Sequence, residues 1–194
     1  MNGLSRRVAV AELFREREGL LVVAGLGAPA WDCAAVGDNA LNFYMWGGMG
    51  SAALVGLGLA LAQPSRKVVV VTGDGELLMG LGSLATIAVT GPRNYSIVVL
   101  DNERYGETGM QPTHTAFGVD LAGIAKQAGL AWAQTISGEQ ELGALATKLK
   151  SGDGPGLAVI KVGAEDHPLV LPPRDGAFLK DRFRQALLGS KQEK

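Results

Sequence analysis

Cysteine is nearly absent from this sequence: Cys33 is the single one in 194 residues. One thiol cannot close a disulfide, carry an iron–sulfur cluster or complete a structural zinc site, each of which needs several ligands. It fits a reducing, cytoplasmic setting. A basic surplus is missing as well. The 18 Lys and Arg stand against 19 Asp and Glu, a net charge of −1. Nucleic acid and anionic membrane are therefore not expected as partners, because both are held through excess positive charge. Long apolar runs are lacking too: the longest, Ser51 to Ala62, is too short to span a bilayer and stops before Pro64. The N-terminal stretch carries Arg6, Arg7, Glu12, Arg15, Glu16 and Arg17, which does not read as a signal peptide. No internal repeat and no separating linker is visible, so residues 1–194 are expected to form a single domain.

Glycine is what the chain has in excess, at 28 residues, roughly double ordinary usage. No collagen-like period or Ser/Gln tract goes with it. The excess reads as turns and close backbone approaches within a folded protein. With 47% apolar residues the chain can bury a core. Leu20 to Ala24, Lys67 to Thr72, Tyr95 to Asp101, Leu130 to Thr135 and Leu157 to Val162 read as buried strands. Helices are expected at Ser5–Arg17, Met49–Gln63, Leu77–Val89, Leu121–Ala128, Glu139–Lys150 and Asp175–Leu188. Strands alternating with helices predict an α/β fold, a mostly parallel sheet covered on both faces. Ligands in such sheets sit beyond the carboxyl ends of the strands, where the strand order reverses.

The segments after the first three strands carry the informative residues. Gly25-Leu26-Gly27-Ala28-Pro29-Ala30 formally matches a dinucleotide fingerprint, but no carboxylate ends a second strand at the required distance. A tight strand-to-helix turn explains it equally well. Thr72-Gly73-Asp74-Gly75-Glu76 leads straight into an apolar helix, where glycines admit a close ligand and free N–H groups suit phosphate. About 28 residues after Asp74 comes Asp101-Asn102-Glu103-Arg104-Tyr105. Adjacent parallel strands would set Asp74 beside Asn102, and two side-chain oxygens, a carbonyl and phosphate oxygens make the octahedral cage that Mg²⁺ prefers.

Gly73-Asp74-Gly75 with Asn102 resembles the thiamine-diphosphate-binding motif. Asn42 to Gly50, reading NFYMWGGMG, resembles the stretch that holds the aminopyrimidine ring in thiamine-diphosphate decarboxylases. GDGELLMGLGSL from Gly73 and YGETGMQPTHT from Tyr105 look most similar to the β subunits of sulfopyruvate decarboxylases and to phosphonopyruvate decarboxylases. The resemblance implies a thiamine-diphosphate-binding fold of the pyrophosphate type, with Mg²⁺ held by the side chains of Asp74 and Asn102 and the carbonyl of Arg104. It implies backbone contacts from Gly27, Gly75, Glu76 and Tyr105 to the diphosphate, the Gly47 carbonyl as acceptor for the 4′-amino group, and Met49 beneath the bend of the cofactor. Three positions depart from the family pattern. A polar side chain is often present near Ala28 and Pro29, where this chain offers only backbone N–H groups. Glu76 replaces a small residue; aimed inward it would repel phosphate, so it is expected to face solvent or a cation. Met110 replaces a polar residue in a loop expected to border the substrate.

The resemblance also implies a division of labour. In this family a Glu on a separate pyrimidine-binding domain serves N1′ of the pyrimidine, and these 194 residues contain no such domain. The chain is expected to be the β subunit of a hetero-oligomer, decarboxylating a small anionic 2-oxo acid, sulfopyruvate first and phosphonopyruvate next, with a separately encoded α subunit. A carboligase of the acetolactate synthase type and a non-catalytic cofactor-binding subunit are the alternatives. Ferredoxin-linked oxidoreductases share the fold but bring cluster cysteines. Trp31, Phe43, Tyr44 and Trp46 are candidates for the partner's face or for core. His114 could orient substrate or be a solvated loop residue; His167 reads as structural and Cys33 as a small buried hydrophobe.

Overall fold

The computed structural model describes residues 3–189. Six parallel strands form the central sheet: β1 (Leu21–Ala24), β2 (Asn42–Tyr44), β3 (Val68–Gly73), β4 (Tyr95–Asp101), β7 (Trp132–Ile136) and β8 (Gly156–Lys161), in the order β2-β1-β3-β4-β8-β7. A small antiparallel ribbon, β5 (Arg104–Tyr105) with β6 (Gln111–Pro112), rises beyond the end of β4. Eight helices connect these strands: α1 (Arg6–Phe14), α2 (Ala28–Ala35), α3 (Ala52–Ala62), α4 (Asp74–Met79), α5 (Ser83–Thr90), α6 (Leu121–Ala128), α7 (Leu142–Ser151) and α8 (Gly176–Leu188). Among the described residues no helix is long and apolar enough to cross a membrane.

Helices on both faces explain why the inner strands are apolar without alternation. Residues of one parity, Val22, Ala24, Val69, Val71, Val98 and Leu100, meet α1, α2 and α7 through Val10, Leu13, Cys33 and Leu145. The other parity, Val23, Val68, Val70, Ile97 and Val99, meets α3, α5 and α6 through Ala53, Leu57, Ile87 and Ala125. Two cores thus share one sheet. Cys33 is fully buried in the first, and that burial pushes its thiol pKa well up, as expected of an inert small hydrophobe.

The strand order reverses around β1, which pairs with β2 on one side and β3 on the other. The loops leaving β1, β3 and β4 therefore open onto a common crevice. Pairing of Gly73 with Leu100 brings Asp74 level with Asp101 at that edge.

The expected helix Leu77–Val89 is two helices, broken at Gly80-Leu81-Gly82. The cause is a backbone crossing: a Cβ on Gly80 would lie 2.0 Å from the carbonyl oxygen of Gly50. The turn carrying Met49 thereby rests directly on the end of the helix carrying Asp74. The short strand β2 also escaped the expected strand list, since its three residues run straight into glycines. The strand expected from Leu130 begins at Trp132 and ends at Ile136.

Gly80→Ala should accordingly destabilise the protein by about 2–3 kcal/mol, because backbone rather than a side-chain tip must give way. Gly58→Ala in α3, where an added Cβ meets open space, should stabilise it by about 0.5–1 kcal/mol. Chemical denaturation of the two variants beside the unaltered chain measures both.

Candidate active site

The crevice at the carboxyl edge is a cleft open to solvent, with about 570 Å³ of space between its walls when that open solvent is included. Seven residues singled out from the sequence, Met49, Asp74, Gly75, Glu76, Asn102, Arg104 and Tyr105, line it together. Gly27 and Gly47 do not line it. Gly27, at φ +77, begins α2 next to the lining residues Leu26 and Ala28, and Gly47 borders a neighbouring hollow with Trp46 and Arg174. The exposed Glu107 leans over Gly27, at the mouth of the cleft.

Asp74 is the centre of the arrangement and is only 1% exposed. Its Oδ2 accepts hydrogen bonds from the Thr113 hydroxyl at 2.6 Å and the Thr115 hydroxyl at 3.2 Å. Thr115 lies 2.8 Å from Asp101 Oδ1, and Asp101 Oδ2 accepts from Lys161 Nζ at 2.9 Å. Lys161 also reaches Glu103 at 2.6 Å. Partial burial pulls the Lys161 ammonium down, but its bonds to Glu103 and Asp101 outweigh that and its pKa ends above the usual lysine value. Asp101 thus has a cation, whereas Asp74 has no ion-pair partner among the described residues. Burial, with the Asp101 charge nearby, pushes Asp74 up to about 6 against the hydrogen bonds of Thr113 and Thr115.

The turn after β4 brings further oxygen to the same place. Glu103 sits in the left-handed region at φ +63, held by N–H bonds from Glu103 to Asp101 Oδ1 and from Arg104 to Asn102 Oδ1. Arg104 pairs in register with Pro112, and because the Thr113 N–H donates to the Glu103 carbonyl in the adjacent pair, 104 and 112 form a pair without mutual backbone bonds and the Arg104 carbonyl is turned away from Pro112. Behind this turn the Tyr105 ring packs on Gly75 so closely that a Cβ there would lie 2.6 Å from two ring carbons. Side chains larger than hydrogen are excluded at that point. Among the described residues no three His, Cys, Asp or Glu side chains gather as a metal cage. A cation here would take one carboxylate, one amide, one carbonyl and oxygens of a ligand, an oxygen set suited to Mg²⁺.

Several expectations need correction. Glu76 does not face solvent or a cation: it is 4% exposed and accepts from the Thr72 hydroxyl at 2.8 Å. Burial raises its pKa, while Thr72 and the nearby backbone N–H groups of Gly50, Ala52 and Leu26 work against that rise. The start of α3 thus shelters the carboxylate that phosphate would repel. The four aromatics do not make a free surface. Tyr44 is buried, with its hydroxyl between Asp38 and Asn42; Phe43 packs edge-on against Phe183; Trp46 donates to the Pro173 carbonyl; Trp31 packs against the first core. His114 is exposed and does not line the cleft, and the residues flanking it are the ones turned toward Asp74. His167 lies 3.5 Å from the Ser5 hydroxyl, as suits a structural residue. Thr113, Thr115 and Lys161 were missed from sequence, and so was Arg6, which lines the cleft from α1.

With this geometry in view, comparison with known proteins is decisive. The family described as thiamine pyrophosphate enzyme, C-terminal TPP binding domain, matches residues 27–162. The chain belongs to this family. Its relatives include the sulfopyruvate decarboxylase subunit beta of Methanothermobacter thermautotrophicus, 36% identical over 98% of this chain and 99% of that one. The subunit of the same name from Methanocaldococcus jannaschii is 45% identical over 68% of each chain. The phosphonopyruvate decarboxylase of Streptomyces viridochromogenes is 42% identical over 90% of this chain but only 43% of its own. Among solved structures, the benzoylformate decarboxylase of Polynucleobacter necessarius superposes with a TM-score of 0.68 at 22% identity, over 84% of this chain and 34% of that one. This chain thus spans about a third of that structure, and the likeness is one of fold. The thiamine pyrophosphate family accounts for the parallel sheet and for a cleft at its carboxyl edge.

The Asp74 environment gives a signed pH dependence. The native carboxyl keeps its proton to higher pH than it does in the unfolded chain, where it titrates near 4. Asp74's contribution to the stability of the ligand-free protein therefore falls as pH rises from about 4 to about 6. Asp74→Asn should remove that loss, so its stability relative to the unaltered chain should be greater at pH 7 than at pH 4.5 by the order of 1–2 kcal/mol. Thermal unfolding of both ligand-free proteins at the two pH values tests this.

Proposed function

We propose that this chain is the pyrophosphate-binding β subunit of a thiamine-diphosphate- and Mg²⁺-dependent 2-oxo acid decarboxylase, acting in the cytoplasm on a 3-substituted pyruvate, with sulfopyruvate the leading substrate. The observation that carries this reading is the cleft itself, in which a buried carboxylate with no cation partner among the described residues shares the lining with Asn102 and Arg104. The resemblance of the whole chain to named sulfopyruvate decarboxylase beta subunits supports the substrate class. When bound, thiamine diphosphate supplies the electron sink that a 2-oxo acid needs to lose CO₂.

The chain's own part is to hold and orient that cofactor. Asp74 Oδ1, Asn102 Oδ1 and the Arg104 carbonyl would ligate Mg²⁺, while Thr113 and Thr115 occupy Asp74 Oδ2 and fix the carboxylate's rotation. Backbone groups of Gly75, Glu76, Tyr105 and the Gly27-Ala28 turn would meet the diphosphate. The Gly47 carbonyl would accept from the aminopyrimidine, and Met49, fixed by the Gly50–Gly80 crossing, would support the cofactor's bend. The carboxyl group that must serve the far side of the pyrimidine would come from a separate α subunit. Exposed apolar residues Leu54, Val55 and Leu61 on α3, beside Val89 on the adjoining α5, are surface of the kind such a subunit covers.

Affinity purification of the chain with Mg²⁺ and thiamine diphosphate should recover an α/β partner of similar size. The pair should release CO₂ and an aldehyde from sulfopyruvate and, less efficiently, from phosphonopyruvate. A product with a new carbon–carbon bond would identify a carboligase instead, and cofactor binding without CO₂ release would identify a non-catalytic subunit. In the active pair Asp74→Ala should lower turnover by more than about a hundredfold and abolish Mg²⁺-dependent cofactor retention together. Full activity in that variant would overturn the metal assignment.

A further inference from the structure

Arg6 lies outside residues 27–162, the stretch shared with the family, yet it lines the cleft. It opens α1, and α1 starts at the carboxyl edge because Leu4 bridges to Val162 just beyond β8. The guanidinium is held in place rather than free to swing. Nε donates to Asp32 Oδ2 at 3.0 Å, Nη1 donates to the Glu165 carbonyl at 3.3 Å, and the side chain is 11% exposed. Nη2 has no protein acceptor among the described residues. Asp32 is shared with Arg7, whose Nη2 lies 3.4 Å away, so one buried carboxylate faces two guanidinium groups and positive charge is left over.

We propose that Arg6 binds the diphosphate of thiamine diphosphate through Nη2. This rests on the cofactor reading above and names a residue that the family match does not reach. The departure at Ala28 and Pro29, which carry no polar side chain, is thereby made good from a different element: the donor enters from α1 instead of from the turn after β1. A guanidinium suits the task because it is permanently charged and its N–H groups are fixed in a plane that matches phosphate oxygens. The same chemistry would suit a sulfonate or phosphonate group on the substrate. The neighbours favour the cofactor, since Arg6 is tied to Asp32, one turn along α2 from the lining residue Ala28, where the backbone contacts to the diphosphate are proposed.

The test compares the reconstituted pair built on the unaltered chain with pairs built on Arg6→Gln, Arg6→Lys and Arg7→Gln, titrating thiamine diphosphate and then thiamine in the presence of Mg²⁺ by tryptophan fluorescence or calorimetry, with melting temperatures alongside. Arg7 shares Asp32 and donates to the Pro168 carbonyl at 2.9 Å, but it does not line the cleft, so it controls for the loss of a guanidinium beside Asp32 without the proposed role. Arg6→Gln should weaken thiamine diphosphate by about tenfold or more and leave thiamine unaffected. Arg6→Lys should fall between the two, and Arg7→Gln should stay within about twofold of the unaltered chain. Equal weakening in Arg6→Gln and Arg7→Gln, with matching falls in melting temperature, would overturn the proposal by making Arg6 structural. So would unchanged cofactor affinity with a raised KM for the 2-oxo acid in the reconstituted pair, which would move Arg6 to the substrate. An unaltered pair that fails to bind thiamine diphosphate would sink the cofactor reading itself; normal binding in it and in the Arg6→Gln pair alike would remove only Arg6.

Discussion

A carboxylate buried without a cation is the constraint around which this cleft is organised. Asp74 stands at the end of β3 with almost no access to water, and among the described residues no lysine or arginine answers it. Leaving a charge in that condition is costly, which favours either a retained proton or a bound cation. The protein lowers the cost only in part, through two hydroxyls on a single oxygen. A lysine in that place would make the ligand-free fold more comfortable and would block a cation. In the proposed reading, the stability forgone at Asp74 would become affinity for a divalent ion, because binding would remove an existing penalty instead of creating one.

The surroundings follow from that single choice. Asp101 lies level with Asp74 and would double the repulsion if it too were bare, so Lys161 from the next strand neutralises it. Thr115 spans the two carboxylates, and Thr113 secures the other approach to Asp74. Both threonines arrive on the segment that follows the β5–β6 ribbon. In the proposed reading the ribbon would serve a metal twice, turning the Arg104 carbonyl away from Pro112 and delivering the hydroxyls that orient Asp74. On the other side, the Gly50–Gly80 crossing ties the Met49 turn to the helix that begins at Asp74, so the two halves of the cofactor cradle cannot drift independently.

What the sequence made legible was whatever depends on local pattern. Apolar runs located five of the six central strands, because both faces of a parallel sheet are covered and burial leaves a continuous signature. The Gly73-Asp74-Gly75 and Asn102 pair was legible because its members are fixed by strand ends rather than by packing. Residues whose meaning comes from tertiary partners were not. Nothing near Gly80 announces the carbonyl of Gly50, and nothing near Glu76 announces the N–H groups at the start of α3. Thr113 and Thr115 flank a histidine that attracts attention for its chemistry, while the buried residues on either side meet Asp74. In the sequence Arg6 is only one of the charges that speak against a signal peptide, and it is the bridge from Leu4 to Val162 that sets the start of α1 over the cleft.

Glu76 bears on the proposal that a second chain completes the cradle. It is a buried carboxyl group lining the same cleft, and burial raises its pKa. Its Oε2, however, accepts from the Thr72 hydroxyl, its Oε1 is buried with no hydrogen-bond partner among the described residues, and Gly25 packs so closely that an added Cβ would meet the carboxylate. Turning outward would break the bond from Thr72 and set a negative charge beside a diphosphate. In the proposed reading, a carboxyl group serving the far side of the pyrimidine would therefore approach from across the cleft, and the exposed apolar flank on α3 and α5 suits the subunit that would carry it.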